Sequence, residues 1–487
     1  MIRFFPDPET FVKFSIFSLT LDIRWYAVLI LFGAMLAYTV ARKDVKKARY
    51  ISLDFFDSFF IYTLWAGIIG ARLWFCMFYN FSYYISHPLE IIRIWDGGLA
   101  IQGGLVFGAI FAWFYIRKNH YPFMKLLDIV LPNVLLGQAS GRWGNFVNKE
   151  CHGAEVSEGY FNGILSFLKE GMLIKGHYYE PLFFYESVLC LLGWVLIYLI
   201  LKKRQNKRGD LAYAYLMWYG LIRFFIEGRR TDSLYLGNLK MAQLTSVVFF
   251  IVGILGYLGV LDRFIKKEKP TLMFDFDGTL MDTRQGIVEA YRYLFQKYSD
   301  EEKFTDEVQQ EIIGPALRTL FPKYFPGIDF DTLYEDYHNR QIEVAKITNH
   351  PMPHADEVLK KLHEEGYKIG IISTRSREGI QGILDDFSLR GYVDDICGVY
   401  DVEKQKPDPE GIFKLVERNG WNRECIMIGD SMMDIGCGIN YGAYTVAYLN
   451  DPVRSKQLAE AANDSITDME QLIDILKKDV AFTYDKR

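Results

Sequence analysis

Apolar residues follow two different rhythms along this chain of 487 residues. In the first half they come in long runs. Seven of them, near 16–41, 54–78, 98–116, 126–141, 182–201, 211–227 and 243–265, approach the roughly 20 residues a helix needs to cross a bilayer. The fourth is the weakest, because Pro132 and Asn133 interrupt it. In the second half the apolar runs are short. One at 270–274 ends just before Asp275, and others at 368–372, 426–428 and 444–448 alternate with helical stretches such as 354–365 and 408–418. That alternation predicts a parallel sheet with crossover helices. Residues 285–348 read as an amphipathic helical insert. The expected fold class is a multidomain chain. An α-helical seven-span membrane domain at 1–267 precedes an α/β Rossmann-like domain at 268–487, with its core at 268–283 and 352–487 and a helical cap at 284–351.

Charge sharpens the division. Residues 1–270 carry 30 Lys and Arg against 20 Asp and Glu, a net of +10, and the remainder carries 25 against 40, a net of −15. A basic apolar half and an acidic polar half describe two machines. The basic residues of the first half cluster between runs. Arg42, Lys43, Lys46, Lys47 and Arg49 follow the first run, and Arg117, Lys118 and Lys125 the third. Lys202, Lys203, Arg204, Lys207 and Arg208 follow the fifth, and Arg263, Lys266, Lys267 and Lys269 the seventh. Loops rich in Lys and Arg stay inside, so the expected topology is multi-pass, with the N-terminus outside and everything after Lys266 cytoplasmic. The 142–180 loop then faces outward. The first run is too long for a cleavable leader and lacks a small-residue cleavage site, so it is expected to remain as an anchor. The six cysteines include no Cys-x-x-Cys pair, which argues against a zinc site or a disulfide scaffold. Cys397, Cys425 and Cys437 in the acidic half suit a reduced cytosolic domain. No nucleic-acid partner is expected.

The densest polar chemistry of the first half is Gly141-Arg142-Trp143-Gly144-Asn145-Phe146-Val147-Asn148-Lys149-Glu150-Cys151-His152-Gly153. It begins near the end of the fourth run. Charged and amide side chains at that depth are kept mainly where they face a cavity and do chemistry. The stretch resembles the G-R-x-G-N-F-x-N-x-E-x-x-G signature of the prolipoprotein diacylglyceryl transferases, with every fixed position filled. Ile23-Arg24-Trp25-Tyr26, Gly70-Ala71-Arg72-Leu73, Tyr185-Glu186 and Arg223-Phe224-Phe225-Ile226-Glu227 extend the resemblance over most of residues 1–265. Arg223 and Glu227 are four apart and share a helix face. The resemblance implies a bacterial inner-membrane enzyme that moves a diacylglyceryl group from phosphatidylglycerol to the lipobox cysteine of a prolipoprotein. No cofactor is expected for it. A phosphate ester must leave, and an arginine fork is the best clamp for its oxygens. Arg142 is the first candidate and Arg223, with Glu227, the second. Asn145 and Asn148 could orient head-group hydroxyls, and Glu150 could accept from the head group or hold Arg142.

Two positions depart from the family pattern. Gly97-Gly98-Leu99-Ala100-Ile101-Gln102-Gly103-Gly104-Leu105 resembles the family's His-Gly-Gly-Leu motif, with Gln102 in the histidine's place. Glutamine cannot take a proton near neutral pH. Tyr26, Glu150 or His152 could serve instead, or the thiol, already a few per cent ionised, needs no base. Glu180 stands where the family often has His. The alternative is an inactive transferase-like membrane anchor that carries an active second domain. A transporter or receptor would leave 141–153 unexplained.

The second half has its own constellation. Asp275-Phe276-Asp277-Gly278-Thr279-Leu280 follows the first short strand, Ser373 ends the second, Lys406 opens Lys-Pro-Asp-Pro, and Gly429-Asp430-Ser431-Met432-Met433-Asp434 follows another strand. In this order they resemble the haloacid dehalogenase-like hydrolases, in particular the phosphoglycolate phosphatase and pyrophosphatase branch, over about 271–477. The chemistry implied is phosphoryl transfer to a carboxylate. Asp275 would be the nucleophile and Asp277 the general acid and base. Ser373 and Lys406 would hold the phosphoryl oxygens. Mg²⁺ would be bound by Asp275, the backbone carbonyl of Asp277 and Asp430, while Asp434 supports the metal shell or Lys406. The substrate would be a small phosphorylated metabolite. In the cap, Ile313-Gly314-Pro315-Ala316-Leu317-Arg318 resembles a substrate-facing loop, and Arg318 could meet a second anion.

Overall fold

The structure is a computed structural model that describes residues 2–7, 10–16, 19–79, 81–94, 97–205, 208–231, 235–236, 239–261, 269–313, 317–450 and 452–477. It divides into two compact units, Met1–Lys267 and Glu268–Arg487. Of the basic residues that follow the seventh run, Arg263, Lys266 and Lys267 lie outside the described residues, as do Lys207 and the Gly314–Pro315–Ala316 part of the cap loop.

The first unit opens with an antiparallel sheet of β1 (Ile2–Asp7), β2 (Thr10–Ile16) and β3 (Leu19–Arg24), and only then enters α1 (Trp25–Ala48). The apolar run expected from 16 is thus split. Leu19, Leu21 and Ile23 alternate with Thr20, Asp22 and Arg24, a period of two that favours a strand. The later runs fold as α2 (Leu53–Tyr79), α3 (Ile101–Lys118), α4 (Phe123–Val147), α5 (Leu182–Trp194), α6 (Asp210–Arg229) and α7 (Met241–Tyr257). Helical structure continues from α5 to Arg204 through a π turn at Val195–Ile200. Three of these, Trp25–Ala48, Leu53–Tyr79 and Leu182–Arg204, are long and apolar enough to cross a membrane, and Met241–Tyr257 is a shorter apolar helix.

Helix α4 is the hub of this unit and packs against α1, α5 and α6. Small residues permit the close crossing: a Cβ on Gly33 would lie 2.8 Å from Ser140 Cβ and 2.9 Å from Gly137 Cα. Pro132 does not break α4. Proline inside a helix is tolerated in membrane helices. Asn133, 1% exposed, donates to the Ile129 carbonyl at 2.8 Å and accepts from Trp194 Nε1 at 2.9 Å. One turn earlier, buried Asp128 accepts from the amides of Gly209, Leu211 and Ala212 at 2.7, 3.0 and 2.9 Å. It caps α6 from another helix, satisfying donors that the first turn leaves open.

The second unit is built on a six-stranded parallel sheet. Its strands are β4 (Thr271–Phe274), β5 (Ile369–Ile372), β6 (Asp395–Cys397), β7 (Cys425–Gly429), β8 (Tyr444–Tyr448) and β9 (Asp464–Ile466), in spatial order β6-β5-β4-β7-β8-β9. β4, β5 and β7 are buried at every position. Helices cover both faces of such a sheet, so its central strands are apolar without alternation. The chain moves from β4 to one side and returns to the other, so the topological switch falls at β4. Ligands bind at the carboxyl ends of strands at such a point. The insert holds α8 (Arg284–Tyr298), α9 (Leu317–Tyr324) and α10 (Phe330–Thr348) around a core that includes Tyr291, Phe295, Phe321 and Tyr337. A two-stranded link, Met281–Asp282 with His350–Pro351, joins it to the sheet domain.

Candidate functional site

In the first unit the polar residues converge where α4, α5 and α6 meet. The signature is helical down to Val147, so Arg142 and Asn145 are fixed on the last turns of α4 rather than carried by the loop expected at 142–180. Arg142 reaches Glu186 of α5 at 2.7 Å and donates to Asn145 Oδ1 at 3.3 Å. Arg223 of α6 reaches the other oxygen of Glu186 at 3.3 Å and Glu227 at 2.5 Å, and Arg230 also approaches Glu227 at 3.5 Å. Glu186 and Glu227 are each 2% exposed. One buried carboxylate therefore holds two guanidiniums from different helices. Such a pair is tolerated in an apolar interior only when both signs are present and well bonded.

The rest of the signature forms a second layer. Asn145 and Asn148 both donate to Glu150 Oε1, at 2.9 and 3.3 Å. Glu150 is exposed and is tied to Arg142 through Asn145 rather than directly. Tyr26, at the start of α1, lies against Gly144, where a Cβ would come within 2.5 Å of its ring. Gly153 approaches Glu180 closely: its amide donates to the Glu180 carbonyl at 3.0 Å, and Arg229 pairs with the Glu180 carboxylate at 2.6 Å. Gln102, exposed at the start of α3, makes no hydrogen bond to this network among the described residues.

Sequence reasoning quoted two residues here as parts of motifs and gave neither a role. Glu186 was visible only as part of Tyr-Glu. Its role as the bridge depends on the packing of three helices, which spacing does not encode. Arg72 donates to the carbonyls of Glu90, Ile91, Gly97 and Gly98 at 2.7 to 3.1 Å, which fixes the segment leading into the Gln102 motif.

In the second unit Asp275 leaves the end of β4, Ser373 the end of β5, and Asp430 and Asp434 follow β7. Lys406 Nζ binds Asp275 and Asp434 at 2.5 Å each and the Ile372 carbonyl at 3.1 Å. Oxygens of Asp275, Asp430 and Asp434 lie within 4.8 Å of one another. Burial, reinforced by the Asp434 charge, raises the Asp275 carboxyl well above the usual range and pushes Asp430 up to about 6. Burial opposes the charge on Lys406, but Asp275 and Asp434 outweigh it and hold the ammonium above the usual lysine range. An all-oxygen acidic donor set of this kind fits a hard divalent cation. Asp434 has its second oxygen engaged by the Ser431 amide and hydroxyl, at 3.1 and 2.5 Å. Gly278 adopts φ +83, and a Cβ there would lie 2.5 Å from Asp430 Oδ2, so the loop requires glycine at this point.

Asp277 faces a different set. Thr283 donates to it at 2.5 Å, Ser373 at 3.4 Å, and Arg375 from Nη2 at 2.6 Å. Burial would raise this carboxyl, but the Arg375 guanidinium more than offsets it and holds it below the ordinary value. Arg375, Thr279 and Asn450 were not singled out from sequence. Thr279 and Asn450 donate to Asp430 at 3.0 and 3.2 Å. A threonine within Asp-Gly-Thr is a legible signal for the first, whereas Asn450 follows β8 and no motif marks it.

Residues 14–258 match the family model for prolipoprotein diacylglyceryl transferase, and residues 272–448 match that for haloacid dehalogenase-like hydrolase. The chain belongs to the prolipoprotein diacylglyceryl transferase family, with a haloacid dehalogenase-like hydrolase domain behind it. It is 45% identical over 244 residues to a phosphatidylglycerol–prolipoprotein diacylglyceryl transferase of Clostridium novyi, covering 50% of this chain and 93% of that one. A protein of the same description from Lactococcus lactis subsp. cremoris is 45% identical over 238 residues, 48% of this chain and 89% of its own. Among solved structures, a haloacid dehalogenase-like hydrolase from Bacteroides fragilis is 26% identical, with TM-score 0.38, over 42% of this chain and 100% of that one. A haloacid dehalogenase-like family hydrolase from Streptococcus pneumoniae is 18% identical, with TM-score 0.36, over 42% and 98%.

Proposed function

We propose that the first unit transfers a diacylglyceryl group from phosphatidylglycerol to the lipobox cysteine of a prolipoprotein. The carrying observation is the near full-length likeness to the curated transferases, joined to the Arg142–Glu186–Arg223 bridge. The cysteine sulfur attacks the glycerol carbon, the carbon–oxygen bond to phosphate breaks, and glycerol phosphate leaves while the thiol proton goes to solvent or a nearby base. Arg142 and Arg223 approach from two helices and would clamp the phosphate oxygens. Asn145, Asn148 and Glu150 would orient the head group, with Tyr26 beside them. Glu227 would hold Arg223. Gln102 makes no hydrogen bond to the cluster among the described residues, and the mechanism proposed routes no proton through it. Transfer of lipid to a precursor cysteine by pure protein in liposomes tests this reading, and no transfer would return the unit to an anchor.

The unit is read as seven-span, in a bacterial inner membrane, with the N-terminus outside and the second unit cytoplasmic. Contacts among residues at the helix ends and turns expected on one side support it. Ser52 donates to Tyr121, Lys202 pairs with Asp44 at 2.6 Å, and Gln205 donates to Asp128 at 2.7 Å. Cysteine labelling from outside should reach a probe at residue 160 and spare one at residue 205.

The second unit is read as a phosphatase. The Asp275 carboxylate attacks phosphorus, and the ester oxygen leaves with a proton that Asp277, ionised beside Arg375 in the free site, takes up as substrate binds; water then releases phosphate from Asp275 as Asp277 takes its proton. Ser373 and Lys406 would hold the phosphoryl oxygens, and Asp434 would fix Lys406. Magnesium held by Asp275, Asp430 and the carbonyl of Asp277 would supply positive charge against the phosphoryl group. A panel of small phosphate esters, with and without chelator, tests the assignment.

A further inference from the structure

One face of α10 carries a row of rings that the chemistry above does not use. Phe330, Tyr334 and His338 recur every four residues, so they share a helix face. Phe330 stacks with Tyr334 at 6.0 Å and 15°, and Tyr334 with His338 at 5.6 Å and 5°. The planar guanidinium of Arg318 stands over the Phe330 ring at 5.0 Å. The cap core takes other residues of the same helix, the buried Leu333 and Tyr337. The three rings of the row lie beside them and are only half-buried.

Arg318, Phe330, Tyr334 and His338 all line a cleft between cap and sheet domain, with about 820 Å³ of empty space open to solvent. Asp277 lines it too, and Tyr400, 56% exposed, joins the wall from the sheet domain. The row has a direction. Gln341, one turn beyond His338, accepts from Arg375 Nη1 at 2.9 Å, and Nη2 of the same guanidinium donates to Asp277 at 2.6 Å. That turn of α10 is therefore tied to Asp277. From His338 the row leads away from it to Phe330, a span of about 12 Å at 1.5 Å per residue.

The next step rests on the phosphatase reading. If the phosphoryl group sits at Asp275, Asp277 must reach the leaving oxygen, and the alcohol of the ester extends past it into the cleft. We infer that the row on α10 determines specificity, and that the site prefers phosphate monoesters whose alcohol carries a planar aromatic ring, as a nucleoside 5′-monophosphate does. The sugar of such an ester spaces its base from the leaving oxygen, which brings the base alongside His338 and Tyr334. Aromatic rings attract one another offset or edge to face, and every base has a π face to offer. A short aliphatic ester reaches Asp277 and leaves the row in water. Glycerol phosphate, the expected by-product of the first unit, is therefore a poor substrate.

The test compares adenosine 5′-monophosphate with ribose 5-phosphate, which share the sugar and the ester and differ by the base. With the intact chain, kcat/KM for the nucleotide should be higher by about tenfold or more, the worth of one base held on an aromatic side chain. Tyr334→Leu should bring the ratio to within about threefold, mainly by raising KM for the nucleotide. Tyr334→Phe keeps the ring and should keep the preference; its loss there would assign the effect to the hydroxyl and overturn the inference. His338→Leu shortens the row at its inner end and should also lower the ratio, which decides the matter if Tyr334→Leu fails to fold. A purely structural role would slow both substrates equally, and an unchanged ratio in the two leucine variants would overturn the assignment. Equal rates in the wild type, or failure on both while other esters of the panel are cleaved, would also overturn it and leave the phosphatase intact. No hydrolysis of any phosphate ester would overturn the phosphatase reading, and this inference with it.

Discussion

The two units solve the same problem, how to hold charge inside a protein, by opposite means. In the phosphatase unit the charged groups stand at the ends of β4, β5 and β7, on loops whose backbone amides and hydroxyls take up spare oxygens, as Ser431 does for Asp434. In the transferase unit they sit along helix faces, where the backbone is already paired with itself. There a charge is balanced by groups that packing brings to it from other segments, as Glu186 serves both Arg142 and Arg223. Strand-end charges are positioned by local chain, and helix-face charges by packing. Loss of a charge should therefore abolish chemistry in the first case and damage both chemistry and folding in the second.

The largest effect is expected at Asp275. Asp275→Asn should reduce phosphate release to background, because an amide is a poor nucleophile, and Asp277→Asn should slow it by about 10²–10⁴-fold. Asp275→Asn should keep its thermal stability to within about 1 kcal/mol or gain some, because Asp275 is one of three crowded carboxylates, whereas Asp277→Asn should lose stability, because its carboxylate is paired with the largely buried Arg375. Wild-type rates in Asp275→Asn would discard the covalent mechanism.

Arg142→Ala should abolish lipid transfer in liposomes while the protein still inserts, and Arg142→Lys should recover little, since an ammonium does not reproduce the fork. Normal transfer by the alanine variant would remove Arg142 from the clamp.

Glu186→Gln puts the contrast most directly. Removing one partner of a buried ion cluster costs about 3–5 kcal/mol. Thermal unfolding in detergent should fall accordingly, and transfer should fall with it even at temperatures where the variant is folded. An unchanged melting temperature would mean that the bridge is not part of what holds α4, α5 and α6 together.

The smallest effect concerns traffic between the units. On the proposed topology, with the signature outside and the phosphatase inside, a phosphate dianion cannot pass from one to the other unaided. Lipid transfer by the intact chain carrying Asp275→Asn should equal that of the wild type. A fall of about tenfold or more, equivalent to some 1.4 kcal/mol of transition-state stabilisation, would show that the two sites work as one.

Much of this molecule is written in its sequence, and the reason is local. Hydropathy separates long apolar helices from short buried strands because a bilayer and a sheet interior demand different lengths. The acidic motifs of the second unit are legible because a strand-end loop places its carboxylates by itself: Asp275, Asp430 and Asp434 meet as soon as β4 and β7 pair. The split of the first apolar run into β3 and α1 was also recorded, in the alternation of residues 19–24, but a count of apolar residues averages it away. What only the tertiary structure decided are the partners across elements. Asp128 on α4 caps α6, Glu186 bridges two arginines 81 residues apart, and Arg375 joins Asp277 to Gln341 on the cap. Each depends on which helix packs beside which, and on a side chain long enough to cross the gap. No spacing along the chain carries that information, because the contact exists only once the elements have been brought together.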